Sequence, residues 1–284
     1  MLRNNKYEQS GGQSSINLQG ENVHYHGLTY SDAKEIAQDV FEKNFRELTT
    51  VAGDIATQRA NEVREQMMTK LKQVEEKALD SFQDPDFQYQ IFNVQKEYAR
   101  SGDTNLAEML TDLLVERAKE PNRTLKQILL NESMSVLPKL TSAQIDILTC
   151  IFIVKLIQDN EVTTLDMLKK LFTQFYEALP IEESEVKLTS NYLHLQYAGC
   201  GNISVTGVQS FAKVYSNIYP ELFPTESEFT NIIKELNPKV EVVAKLWNDS
   251  PLRGFTLTSV GIAIAHSNAC RLLGINPDLE IWIS

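Results

Sequence analysis

The sequence predicts a mainly α-helical protein with a short β-hairpin at its N-terminus, and three observations carry that expectation. Apolar residues recur at steps of three and four from Ala33 through most of the 284 residues, the spacing of one helix face. Alternation with period two is concentrated in residues 16–26. Hydrophobic residues make up 42% and charged ones 23%, enough for a sizeable core, which excludes wholesale disorder and a disulfide-stapled miniprotein.

Charge and cysteine usage narrow the function classes. Basic residues number 27 against 38 acidic ones, for a formal net charge of −11. Residues 1–140 carry 17 basic and 22 acidic side chains, and residues 141–284 carry 10 and 16, so neither half offers a positive surface to a phosphate backbone. Nucleic acid is therefore an unlikely partner. Cys150, Cys200 and Cys270 are far apart and lack metal-ligand spacing, as expected of reduced thiols in a cytoplasmic protein without a cofactor. The first 15 residues have no apolar run behind their basic residues, so they do not read as a secretory signal.

Taken in order, residues 1–30 read as a polar tail followed by an oligomerisation hairpin. Ile16 and Leu18 alternate with Asn17 and Gln19; after Gly20-Glu21-Asn22, Val23 and Tyr25 alternate with His24 and His26. Strands this short do not persist alone, and their open edges make further copies of the chain the expected partner. Ile16, Leu18, Val23 and Tyr25 would hold that assembly. His24 and His26 share a strand face, but two imidazoles are too few for a metal site, so they are weak candidates and no metal is expected.

Residues 31–83 follow without a proline. Ser31 or Asp32 is the expected N-cap, with Glu35 closing a capping box. The stripe containing Val40, Phe41, Leu48 and Ile55 favours one long, coiled-coil-like helix that extends the self-contact, with two helices folded back at residues 49–53 as the alternative. Asp84-Pro85 ends it. Residues 84–180 should form a helical bundle, with helices at 87–100, 105–119, 124–137, 142–158 and 164–179 joined by short loops. The apolar segment 145–157 contains Asp146 and Lys155 and is too short to span a bilayer, so a buried core helix is expected and a membrane is a disfavoured partner.

Residues 181–284 form a mixed, winged-helix-like region. Residues 192–197 are an apolar and aromatic run, 198–207 have turn and strand character, and 208–219, 226–236 and 240–247 read as short helices. A strand at 255–258 leads into a last helix, 259–273, closed by Gly274; residues 280–283 could dock as a strand. The basic residues here are Lys187, Lys213, Lys245, Arg253 and Arg271, sparse in an acidic segment, which favours protein contact over DNA. Gly199-Cys200-Gly201 with His194 is a nucleophile candidate, but no third group is identifiable to orient a base. The phosphate-loop, dinucleotide, zinc-protease and serine-elbow signatures are absent, and no catalytic residue is nominated.

Several of these runs resemble known proteins. Ser15-Ile-Asn-Leu-Gln-Gly-Glu-Asn-Val23, Gly27-Leu-Thr-Tyr-Ser-Asp-Ala33, Val40-Phe41 and Asn44-Phe45 resemble the opening of an uncharacterised bacterial family found in the company of anti-phage defence genes. An INxQGxNV strand also precedes effector or sensor helices in several bacterial conflict proteins. The Leu257-Thr258-x-x-Gly261 ending is similar to the C-terminal part of abortive-infection proteins of the Abi-alpha kind. The resemblance implies a non-enzymatic, homo-oligomeric sensor, scaffold or effector in antiviral defence, with itself as main partner and a phage or host protein as a further one. It carries over no catalytic residue. The rival readings are a winged-helix DNA-binding regulator and a toxin perturbing membranes through residues 145–157.

Overall fold

The computed structural model describes residues 28–44, 50–74, 76–204, 206 and 208–283, and among them the protein is mainly helical with one two-stranded sheet. The expected hairpin, with Ile16, Leu18, Val23, Tyr25, His24 and His26, lies outside the described residues, as does Leu48.

The segment 31–83 is not one extended helix. Helix α1 (Tyr30–Asn44) packs antiparallel against α2 (Thr50–Leu71), and a 3₁₀ segment, Glu76–Gln83, follows. Lys34 pairs with Glu65 at 2.7 Å, and the Tyr30 hydroxyl donates to the Met68 carbonyl. The physical reason is burial: folding back lets α1 hide Ala33, Ala37 and Phe41 inside the chain, whereas an extended helix would leave that stripe in water. The N-cap also differs from expectation. Thr29 Oγ1 accepts from the Asp32 amide at 3.3 Å and Asp32 Oδ2 accepts from the Thr29 amide at 2.8 Å, so Asp32, not Glu35, closes the box.

Helices α3 (Pro85–Ser101), α4 (Thr104–Ala118) and α5 (Leu125–Val136) form the antiparallel run that the short loops predict. Their ends are set locally. Asp84 caps α3 with Pro85 in its first turn, Gly102 closes it at φ 65°, and Asp103 and Thr124 cap α4 and α5. Arg117, fully buried at the end of α4, ties these helices together. Its Nη2 donates to Asp84 and Asp86 at 2.9 Å each, Nη1 donates to the Glu120 carbonyl at 2.9 Å, and Nε donates to Asn131 at 3.2 Å.

Helix α6 (Ser142–Leu156) opens with a Thr141/Gln144 capping box and is buried almost all round. Helices α7 (Leu165–Glu177), α8 (Glu183–Val186) and α9 (Thr189–Tyr197) lead to strand β1 (Gly201–Ile203). After α10 (Phe211–Ile218), α11 (Glu226–Leu236) and α12 (Pro238–Asp249), strand β2 (Phe255–Leu257) pairs antiparallel with β1, with Asn202 opposite Thr256. Helix α13 (Ser259–Leu273) then packs on α5 and lies antiparallel on α6, and Gly274 ends it at φ 64°. The final turn, α14 (Glu280–Ile283), is helical rather than a strand: Asp278 accepts from the Glu280 amide at 3.0 Å and starts the turn, and Trp282 Nε1 donates to the Leu156 carbonyl at 2.9 Å.

What the described residues show of the expected winged-helix-like region is short helices and one small antiparallel sheet. The two strands are consecutive in the chain but are joined through α10, α11, α12 and a 3₁₀ turn, Pro251–Gly254, rather than a tight turn. One buried cluster runs from Ala33 to Leu279, so the expected boundaries at residues 84 and 181 separate elements that share a core. The two charges inside segment 145–157 are both used. Asp146 accepts from Asn268 at 3.3 Å, and Lys155 Nζ donates to the carbonyls of Arg253 and Phe255 at 3.2 and 2.8 Å. Among the described residues no helix is long and apolar enough to cross a membrane.

Candidate functional site

The two glycine-bearing motifs of the C-terminal region meet. Thr258 Oγ1 donates to the Gly199 carbonyl at 2.6 Å and accepts from the Gly261 amide at 3.2 Å, while the Thr258 amide donates to the Cys200 carbonyl at 3.1 Å. A Cβ on Gly261 would overlap the Cys200 carbonyl, and one on Gly201 would overlap the Phe255 ring. Gly199-Cys200-Gly201 and Leu257-Thr258-x-x-Gly261 are thus the two halves of a latch that seats the start of α13 against β1. Cys200 is fully buried, and burial pushes its thiol up to about 12; His194 instead turns Nδ1 to Gln144 at 3.1 Å. The raised pKa keeps this thiol protonated at neutral pH, with no hydrogen bond to His194 to draw the proton off.

A concave site lies elsewhere. A cavity of about 410 Å³ sits where α13 and the segment after it close against the ends of α2 and α4. Glu108, Asp112 and Glu116 stand at steps of four on α4 and line it. Lys70 pairs with Asp112 and Lys119 with Glu116. From α13 come His266, Ser267, Cys270 and Arg271. Sequence reasoning missed this set, although the four-residue steps Glu108/Asp112/Glu116 and His266/Cys270 were the readable signal.

The electrostatics of the cysteine–histidine pair run against catalysis. Cys270 Sγ lies 3.5 Å from His266 Nε2, and that nitrogen is 2.9 Å from the Pro277 carbonyl, to which it can only donate. Burial lowers the His266 pKa and favours the neutral ring. Burial, reinforced by Asp112 and Glu116, raises the Cys270 thiol to about 12. A thiolate needs a positive neighbourhood, and this thiol faces two carboxylates. The half-buried Asp146, on the far side of Asn268, has its pKa raised to about 6 by desolvation, partly offset by the Asn268 hydrogen bond and the charge of Arg271.

The remaining predicted site residues are dispersed. Phe41 is buried with Ala56, Ala60 and Ala99 inside the chain, Val40 is half-buried, and Ile55 faces outward on α2. Of the basic residues considered for DNA, Lys187 pairs with Glu183 at 2.6 Å and Arg271 points to the cavity. Among the described residues no group of three His, Cys, Asp or Glu is placed to hold a metal.

A family model matches residues 27–227 and 221–283, nearly the whole described chain. The chain belongs to that family of unknown function. The match takes in the α1–α2 hairpin, the latch and the cavity, so each is part of what the family model spans. No curated protein and no solved structure matches the chain.

Proposed function

We propose that the protein acts without chemistry of its own, as a homo-oligomeric sensor, scaffold or effector in a bacterial anti-phage, abortive-infection system. The observation that best supports self-association is on α2. Val51 and Ile55 lie one turn apart and are 72% and 46% exposed, an outward apolar pair on the helix predicted to extend the assembly. The predicted hairpin strands at residues 16–26 would supply the second contact. The protonated thiols at Cys200 and Cys270 support a non-enzymatic role. The defence setting rests on the resemblance of the N-terminal and Leu-Thr-x-x-Gly runs.

Light scattering tests the reading. The intact chain should have the mass of an oligomer, a chain beginning at Leu28 should be smaller by whole protomers, and V51D/I55D should weaken association further. Equal monomeric masses for all three would sink it. The rival readings have less support, since the apolar face of segment 145–157 is buried in the core and Arg271 is turned inward. A gel shift with random DNA at low salt and a liposome leakage assay should both be negative.

A further inference from the structure

The α13 wall of the cavity carries two polar groups that the chain leaves unanswered. Ser267, only 6% exposed, and Arg271 both line it, and Ser267 Oγ and Arg271 Nε are buried without a hydrogen-bond partner. Buried polar atoms are as a rule satisfied, so two orphans on one wall of a cavity point to a missing ligand.

Their chemistry says what is missing. A guanidinium N–H can only donate, so the absent partner of Arg271 is an acceptor. Lys70 is paired with Asp112 and Lys119 with Glu116, Glu108 is a further carboxylate of the wall, and among the described residues no carboxylate lies within ion-pair distance of Arg271. The fork is also oriented. Arg271 Nη2 donates to Asn268 Oδ1 at 2.8 Å, and Asn268, almost fully buried, is fixed in turn by donating to Thr149 Oγ1 at 2.9 Å. A guanidinium held in this way is prepared for a planar or tetrahedral oxyanion.

We propose that this cavity binds a small oxyanion, the carboxylate or phosphate group of a metabolite, received by Arg271 Nε and Ser267 Oγ. A volume of about 410 Å³ suits a small molecule. The site goes beyond the assembly reading and stands independently of it.

Thermal unfolding of the full chain tests the proposal. It is followed in inorganic phosphate and, separately, in citrate, each against sodium chloride of matched ionic strength. At least one should raise Tm saturably, by about 5 °C at a hundredfold excess over its Kd. Phosphate alone would mark a phosphate-bearing ligand, and citrate alone a carboxylate. R271Q should abolish the shift and S267A should weaken the apparent affinity about tenfold. If R271Q does not fold, S267A decides. No saturable rise in either anion overturns the site, as does a rise left undiminished by S267A.

Discussion

The α1–α3 layer and the aromatic half of the molecule bury their faces by different means. In the second half, Phe172, Tyr176, Phe211, Tyr215 and Phe229 form one set of ring contacts, with centroids between 4.8 and 6.3 Å apart for the edge-on pairs Phe172–Tyr215 and Phe172–Phe229 and the tilted pair Phe211–Tyr215. Trp247 joins them, and its Nε1 is satisfied by the Gln209 carbonyl at 3.0 Å. The first layer is thinner. Phe41 packs on Ala56, Ala60 and Ala99 in a small separate cluster, and four polar atoms on α2 and α3 (Arg64 Nε, Gln66 Oε1, Gln90 Oε1 and Gln95 Oε1) are buried without partners. Large aromatic area stabilises the second half, where two buried polar atoms on α13 lack partners, while the alanine-lined contact of Phe41 and four such atoms leave the first layer closer to its opening threshold.

Five substitutions would break or sharpen this contrast. Phe211→Ala should cost about 4 kcal/mol in denaturant unfolding, whereas Phe41→Ala, among alanines, should cost about 2 kcal/mol. Equal costs would dissolve the contrast. Arg117→Met should cost about 3 kcal/mol, because the junction of α3, α4 and α5 loses hydrogen bonds to Asp84, Asp86, Asn131 and the Glu120 carbonyl at once. Hydrogen exchange should then show faster opening of α1–α3 than of α6 and α13.

Asp146 is a further strained group within the aromatic half. Its folded pKa of about 6 lies above the ordinary carboxylate value, so the folded state holds the proton more tightly and stability falls as pH rises from about 4 to about 6. Asp146→Asn removes that loss. Its Tm should exceed the wild-type value by a few degrees at pH 7.5 and converge with it below pH 4, as calorimetry across that range would show. The smallest effect is expected at Gln90. Gln90→Leu removes a buried unsatisfied carbonyl and should stabilise the α1–α3 layer by about 1 kcal/mol, measured by urea unfolding.

What could be read from the sequence was whatever a few neighbouring residues decide. Asp84-Pro85 starts α3, Thr141 with Gln144 boxes the start of α6, and Gly274 ends α13; each cap is completed within one turn of the chain. The burial of segment 145–157 was legible for the same reason, since its length and composition are local properties. The cavity was less so. The steps Glu108/Asp112/Glu116 and His266/Cys270 are visible on paper, but nothing local says that α4 and α13 face each other across a void.

The sequence by itself thus determined the mainly helical class, the helices between residues 85 and 177, the acidic balance and the apolar stripe of residues 31–83. Only the tertiary structure decided where that stripe goes, because one face fits an extended partner or a fold-back equally well until Phe41 meets Ala56, Ala60 and Ala99. It also decided that Gly199-Cys200-Gly201 and Thr258-x-x-Gly261 form one latch, and that Arg271 and Ser267 line a cavity with Nε and Oγ left without partners. The physical reason is common to all three: contacts between residues far apart in the chain depend on which surfaces pack best together, and local spacing carries no record of that choice.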